Sequence, residues 1–188
     1  ILGTVLFDGA AVTGTDLDVE LSIALPAVKA DGKACIDHRT ILNLARNIPG
    51  DDTVIIEASG RAATVTFSTG RYDLPALPAS DWPRMDVGEV TLVAIDGEQF
   101  RSALQFVAPC ISTAETRYYL NGVCLDDGKV VATNGHRLGV ALSGVAGLES
   151  RPIIPRKTTG LLATMPAATQ FDINLNRQRA VFTGPGYV

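Results

Sequence analysis

Apolar and polar residues alternate in short runs along most of this chain, and in three places the alternation gives way to a helical spacing. The stretches AVTGTDLDVELSIAL (11–25) and VVATNGHRLGVALSG (130–144) step between apolar and polar as half-buried strands do. The stretches TVIIEASGRAATVTFSTG (53–70) and QFDINLNRQRAVFTGPG (170–186) read as hairpins with polar turn residues. The opening run, Ile1–Phe7, is also strand-like. Helical spacing appears at Ile41, Leu44, Ala45 and Ile48, and again at Thr158, Leu161, Leu162 and Met165, with Thr158 the weak member. Positions i, i+3, i+4 and i+7 make one buried helical face, which Pro49 and Pro166 close. A further helix is predicted over Asp96–Ala108, behind a strand at Glu89–Ile95. Phe100, Ala103, Leu104 and Val107 supply its apolar stripe, and Asp96 with Gln99 reads as a capping box.

These segments form an internal repeat. Arg39 to Arg156, Leu44 to Leu161, Ile48 to Met165 and Pro49 to Pro166 share one offset of 117 residues. The flanking strands follow in the same order, so the chain reads as two α+β copies of one unit, a duplicated domain and not a solenoid. Only the second copy shows the preceding strand and helix, so the first is expected to lack roughly 30 residues at its start. Copy two stops at Val188, where copy one continues through RYDLPALPASDWP, and a chain cut at both ends is the expectation. The expected domains are 1–78 and 89–188, joined by a linker at 79–88 that follows from the Pro75–Pro83 stretch.

Composition narrows the class. With 188 residues and 46% hydrophobic content, the chain can bury a core of its own. Its apolar runs, such as Val5–Phe7 and Val140–Leu142, fall far short of the ~20 residues of a membrane helix. No signal peptide is visible. Cys35, Cys110 and Cys124 are odd in number and lack metal-like spacing, which fits free thiols in a reducing cytosol. Net charge is −4, against simple coating of nucleic acid, but the halves differ. Residues 1–90 hold 7 Lys/Arg and 13 Asp/Glu, and residues 91–188 hold 9 and 7. An acidic total with local positive regions suits a protein that is repelled by DNA on most faces and tolerates it on one.

Candidate chemistry is sparse. His38 and His136 are the only histidines, and a Cys110/His136 pair has no orienting partner at a readable spacing. Asp16, Asp18 and Glu20 would share a face if they lay on one strand, as metal ligands could, but a solvated strand face explains them better. No phosphate-binding glycine loop is present. RYYLNG (117–122) differs: Arg117 can pair with phosphate, and an exposed Tyr118 or Tyr119 can stack on a base. The plain alternative is a strand start with one ring in the core and one outside.

RYYLNG, then ATNGHRL (132–138), then IIPRK (153–157) has the order and spacing of bacterial DNA sliding clamps, the polymerase III beta subunits, which this chain resembles over essentially its whole length. TGTDLDVEL and LPALPASDWP resemble that family's first domain. One departure is Asn134, where the family form ATDGHRL has aspartate. The resemblance implies an α+β DNA-clamp fold, with repeated domains, antiparallel sheets outside and helices on the inner face. It implies a non-catalytic accessory subunit of DNA polymerase III, a processivity factor that encircles duplex DNA without reading sequence. Homodimeric when full length, such a ring would be cytoplasmic, bacterial and nucleoid-associated, with no cofactor, metal or membrane. DNA-binding residues carried over are Arg39, Arg117, Tyr118, Tyr119, Arg156 and Lys157. A partner-peptide cleft carried over comprises Leu120, Thr133, Gly135, His136, Arg137 and Leu138. It would take short linear motifs from the DNA polymerase III alpha subunit, the clamp loader and repair proteins. The alternative is a clamp-like peptide-binding module that does not encircle DNA.

Overall fold

The computed structural model describes the chain except residues 1, 26–28, 30, 31, 127, 149 and 177. Ile1, where the predicted opening strand begins, therefore lies outside the described residues, as does Arg177 in the last predicted hairpin. The fold divides into two compact units, Ile1–Met85 with Tyr187 and Asp86–Gly186 with Val188.

The first unit is one antiparallel sheet and a helix. Its strands are β1 (Thr4–Asp8), β2 (Ala11–Thr15), β3 (Glu20–Ala24), β4 (Lys33–Asp37), β5 (Ile55–Ser59), β6 (Ala62–Phe67) and β7 (Gly70–Leu77), and helix α1 (His38–Ala45) follows β4. The sheet order is β3-β2-β1-β4-β7-β6-β5. Leu6, Ile36, Ala63, Val65 and Ala76 are buried on it, as strand alternation requires. Asp37 caps α1, accepting hydrogen bonds from the Thr40 amide at 2.8 Å and the Thr40 hydroxyl at 2.6 Å. The predicted buried face of α1 is only half realised: Ile41, Leu44 and Ile48 are half-buried, Ala45 is exposed, and no residue of the helix is fully buried.

Two sequence expectations are corrected in this unit. Asp16, Asp18 and Glu20 do not line a strand face. Asp16 sits in the turn between β2 and β3, where its Oδ1 accepts from the amides of Asp18 and Val19. The Pro75–Pro83 stretch is not a free connection either. Pro75 lies within β7, and Trp82 is buried against Leu6 and Cys35.

The second unit has β8 (Thr91–Ile95), α2 (Gly97–Val107), β9 (Gly122–Asp126), β10 (Lys129–Thr133), β11 (Leu138–Leu142), β12 (Val145–Ala146), β13 (Ile153–Pro155), α3 (Arg156–Thr164), β14 (Gln170–Asn174) and β15 (Arg179–Thr183). Two four-stranded antiparallel sheets form, ordered β11-β10-β9-β13 and β12-β8-β14-β15. The first repeats the β3-β2-β1-β4 order of the other unit, which gives the sequence repeat a structural meaning. Helix α2 packs on β10, β11 and α3, burying Phe100, Ala103, Leu104 and Val107, the predicted stripe. Asp96 caps it through the Gln99 amide at 3.0 Å. Phe100, Phe171 and Phe182 stack in the core beneath, with ring centroids 5.9 and 4.5 Å apart.

Helix α3 differs from expectation by one position. Thr159 and Leu162 are its buried residues, whereas Thr158, Leu161 and Met165 are half-buried. Thr159 can enter the core because its hydroxyl donates to the Pro155 carbonyl at 3.1 Å, leaving no unpaired polar group there.

Candidate nucleic-acid and peptide interface

The RYYLNG segment is not a strand start. Residues Glu115–Leu120 form a 3-10 turn with a kink at Arg117 (φ −120°, ψ 50°), and β9 begins only at Gly122. Both rings stay outside: Tyr118 is 78% and Tyr119 56% exposed, touching edge to face at 5.7 Å. Two exposed tyrosines side by side leave water around much apolar surface, which is a feature of binding sites more than of cores.

The turn is tied down from below. The Ser112 amide donates to the Leu120 carbonyl at 3.1 Å, and the Asn121 side-chain amide donates to the Ala114 carbonyl at 3.2 Å. The Asn121 carbonyl accepts from the Arg156 amide at 2.9 Å, which seats α3 against the same segment. Gly122 is needed at this crossing, because a Cβ there would stand 2.4 Å from the Ile154 carbonyl oxygen. Arg156 and Lys157 are the first two residues of α3, close in the fold to RYYLNG although 34 residues or more away in sequence.

ATNGHRL forms the tight connection between β10 and β11. Asn134 Oδ1 accepts from the amides of His136 at 3.0 Å and Arg137 at 2.9 Å. Thr133 Oγ1 donates to the Arg137 carbonyl at 2.7 Å and accepts from the Gly135 amide at 3.1 Å. Gly135 has φ +86°, a conformation other residues adopt at a cost. Aspartate would offer the same oxygen acceptor, so the Asn134 departure leaves the turn intact and removes one negative charge. Arg117 closes over this turn: a Cβ on Gly135 would lie 2.9 Å from its Nη1.

The structure sorts the candidate residues differently from the sequence. Arg117, His136, Arg137 and Arg156 line one open cavity of about 680 Å³, walled by Ala108, Pro109, Ile111 and the Ser112–Ala114 loop. Its lining contains no carboxylate. Thr133 and Leu138 instead face each other across β10 and β11, at the start of an exposed row. Leu138, Val140 and Leu142 are 66%, 46% and 66% exposed, because Gly139 between them turns inward against Cys110 and Val107. Leu120 is half-buried at the end of its turn. Cys110 is not among the residues lining the cavity with His136. In the first unit, Arg39 is the exposed second residue of α1. Beside it, the hydrogen bonds from Thr40 hold the Asp37 carboxyl below its usual range.

Sequence reasoning missed the Ser112–Ala114 loop and the outward row continuing through Val140 and Leu142. The loop has no periodicity to betray it. The row was legible in principle, since large residues alternate with Gly139 and Ala141, and the small ones suit a closely packed inner face.

Among known proteins, residues 1–86 match the family model for the DNA polymerase III beta subunit, N-terminal domain. The beta sliding clamp of Caulobacter vibrioides is 32% identical over 167 residues, covering 80% of this chain and 45% of that protein. A sliding clamp of Pseudomonas aeruginosa, solved bound to griselimycin, superposes with a TM-score of 0.81 at 26% identity, over 99% of this chain and 55% of that one. A Bartonella birtlesii clamp reaches a TM-score of 0.85 at 24% identity, over 99% of this chain and 55% of its own, a likeness of fold. The chain thus spans about half the length of the curated relatives and solved structures it matches.

Proposed function

This chain belongs to the family of the bacterial DNA polymerase III beta subunit, and we propose on that premise that it is part of a sliding clamp, a non-catalytic processivity factor. The full protein encircles duplex DNA as a homodimeric ring in the bacterial cytoplasm, at the nucleoid, and tethers DNA polymerase III. Among the described residues no helix is long and apolar enough to cross a membrane.

The observation that carries this reading is the outward pair Tyr118 and Tyr119 beside Arg117 and the Arg156–Lys157 start of α3. Cations at a helix start meet phosphates together with the positive end of the helix dipole. Arg39 is the second residue of the corresponding helix of the first unit. Phosphate contacts carry no sequence information, and successive ones are nearly equal in energy. Retention then comes from topology, and sliding barriers stay low.

Partner proteins dock on the other side of β11. Leu138 and Thr133, with Gly135, His136 and Arg137 in the turn that joins their strands, offer an apolar strip edged by polar groups, suited to a short extended motif, and Leu120 is carried over with them from the family. Polymerase alpha subunit, clamp loader and repair proteins are the expected holders of such motifs.

Primer extension on a primed single-stranded circle tests the role. With the product of the complete reading frame present, DNA polymerase III is expected to make longer products per binding event. Unchanged product length overturns the proposal.

A further inference from the structure

One face of the second unit is open where its counterpart in the first is closed. In the first unit, Ser22, Thr13, Leu6 and Cys35 lie in line across β3, β2, β1 and β4. In the second, Val140, Val131, Cys124 and Ile153 lie in line across β11, β10, β9 and β13. Corresponding members are 118 residues apart, so the two rows are equivalent. Leu6 and Cys35 are fully buried, because Trp82 packs over them after a 3-10 turn at Ala79–Asp81. Val140 and Ile153 are 46% and 48% exposed, and Val131 and Cys124 are only half-buried. The alternate residues Val123, Leu125, Val130, Ala132 and Ile154 occupy the core side.

The charges beside the rows repeat as well. Asp8 with Lys33 corresponds to Asp126 with Arg151, at the same offset. Asp8 also holds a second cation at 2.6 Å, Arg84, which follows shortly after Trp82. Among the described residues, Asp126 has Arg151 as its ion-pair partner, at 2.7 Å. A contiguous apolar row, beside a carboxylate that holds one cation where its counterpart holds two, marks an interaction surface.

We propose that this face is the seat of a strap like Pro78–Arg84, an extended segment of the same protein whose aromatic ring covers Cys124 and Ile153 and whose following basic residue pairs with Asp126. The proposal rests on the reading of this chain as part of a longer clamp, and the curated relatives, of which the chain spans about half, have length for such a segment. The occupant belongs to the same protein because the strap of the first unit does. Trp82 comes soon after β7, which pairs with the β4 strand that it covers. Leu138 and Thr133, the next pair on this face, are not part of the row.

Thiol labelling with N-ethylmaleimide, mapped to each cysteine by mass spectrometry, tests this. Cys35, beneath Trp82, is the covered standard. Cys124 is expected to label about tenfold more slowly in the product of the complete reading frame than in the 188-residue chain, since a covered thiol reacts only when its cover opens. In the complete product, Asp126→Asn is expected to speed Cys124 labelling about threefold, as the loss of one partly exposed ion pair would, with Cys35 and the melting temperature unchanged. A peptide of the sequence Pro78–Met85 is expected to slow Cys124 labelling in the 188-residue chain, and to lose that effect when it carries Trp82→Ala. Equal labelling of Cys124 in the two proteins overturns the proposal, as does shielding that Asp126→Asn leaves intact. A peptide without effect, or one indifferent to its tryptophan, overturns it too. So does slow Cys124 labelling in the 188-residue chain that speeds up on dilution, which assigns the face to a second copy. Primer extension separates this proposal from the reading beneath it. Longer products with a freely labelled Cys124 remove the strap and keep the clamp, whereas a shielded Cys124 with unchanged product length does the reverse.

Discussion

At the residue scale, single side chains decide whether each candidate segment is presented or hidden. Arg117 lies at a kink, Asn134 and Thr133 lock a four-residue turn, and Asn121 joins that neighbourhood to α3. Charge is handled as locally. Asp8 meets Lys33 Nζ at 3.0 Å and Arg84 Nη2 at 2.6 Å, and these hydrogen bonds, Lys33 first, hold its carboxyl below the ordinary value of 3.8. A carboxyl lowered on folding adds stability above its unfolded value, and that stability is lost as pH falls through the folded value. Lys33 and Arg84 are more than half exposed, so the gain is small. Asp8→Asn is therefore expected to melt below the native chain near neutral pH, with the two melting curves converging as pH drops below the native carboxyl's range. A gap that persists or widens in acid would contradict this. The residue scale was also where the sequence was least legible. ATNGHRL could be recognised as a motif, but which side of the sheet each residue faces depends on a turn closed by side-chain oxygens, and no periodicity reports that.

Elements were legible where one face is decisively apolar. The stripe of α2 stood out because Phe100, Leu104 and Val107 all enter one core, and the hairpins because their strands alternate. Helices α1 and α3 were harder. In α3 a buried threonine replaced an apolar residue, shifting the face by one position. In α1 no residue is fully buried, so the apolar spacing overstated what packs. The same contrast predicts stability effects. Phe100→Ala should cost about 3–5 kcal/mol, as aromatic truncation in a filled core does, and urea unfolding followed by circular dichroism measures it. Leu42→Ala, on the exposed side of α1, should stay within about 0.5 kcal/mol. Comparable losses at both positions would mean that the packing described for the second unit is wrong.

For the whole molecule, the repeat was the most informative thing in the sequence, because a constant offset survives where residue identity does not. Its structural counterpart is the strand order shared by the two units, β3-β2-β1-β4 and β11-β10-β9-β13. On the proposed clamp reading, repeated units with cationic helix starts serve a function that depends on enclosing DNA more than on gripping it. Enclosure has a signature that affinity lacks. The most direct measurement is retention on DNA by gel filtration, after a clamp loader has placed the product of the complete reading frame on a nicked circular duplex. The protein is expected to elute with the circle at a salt concentration that abolishes simple phosphate binding, and to be released when one cut linearises the DNA. Equal release from circular and linear duplex would contradict the account.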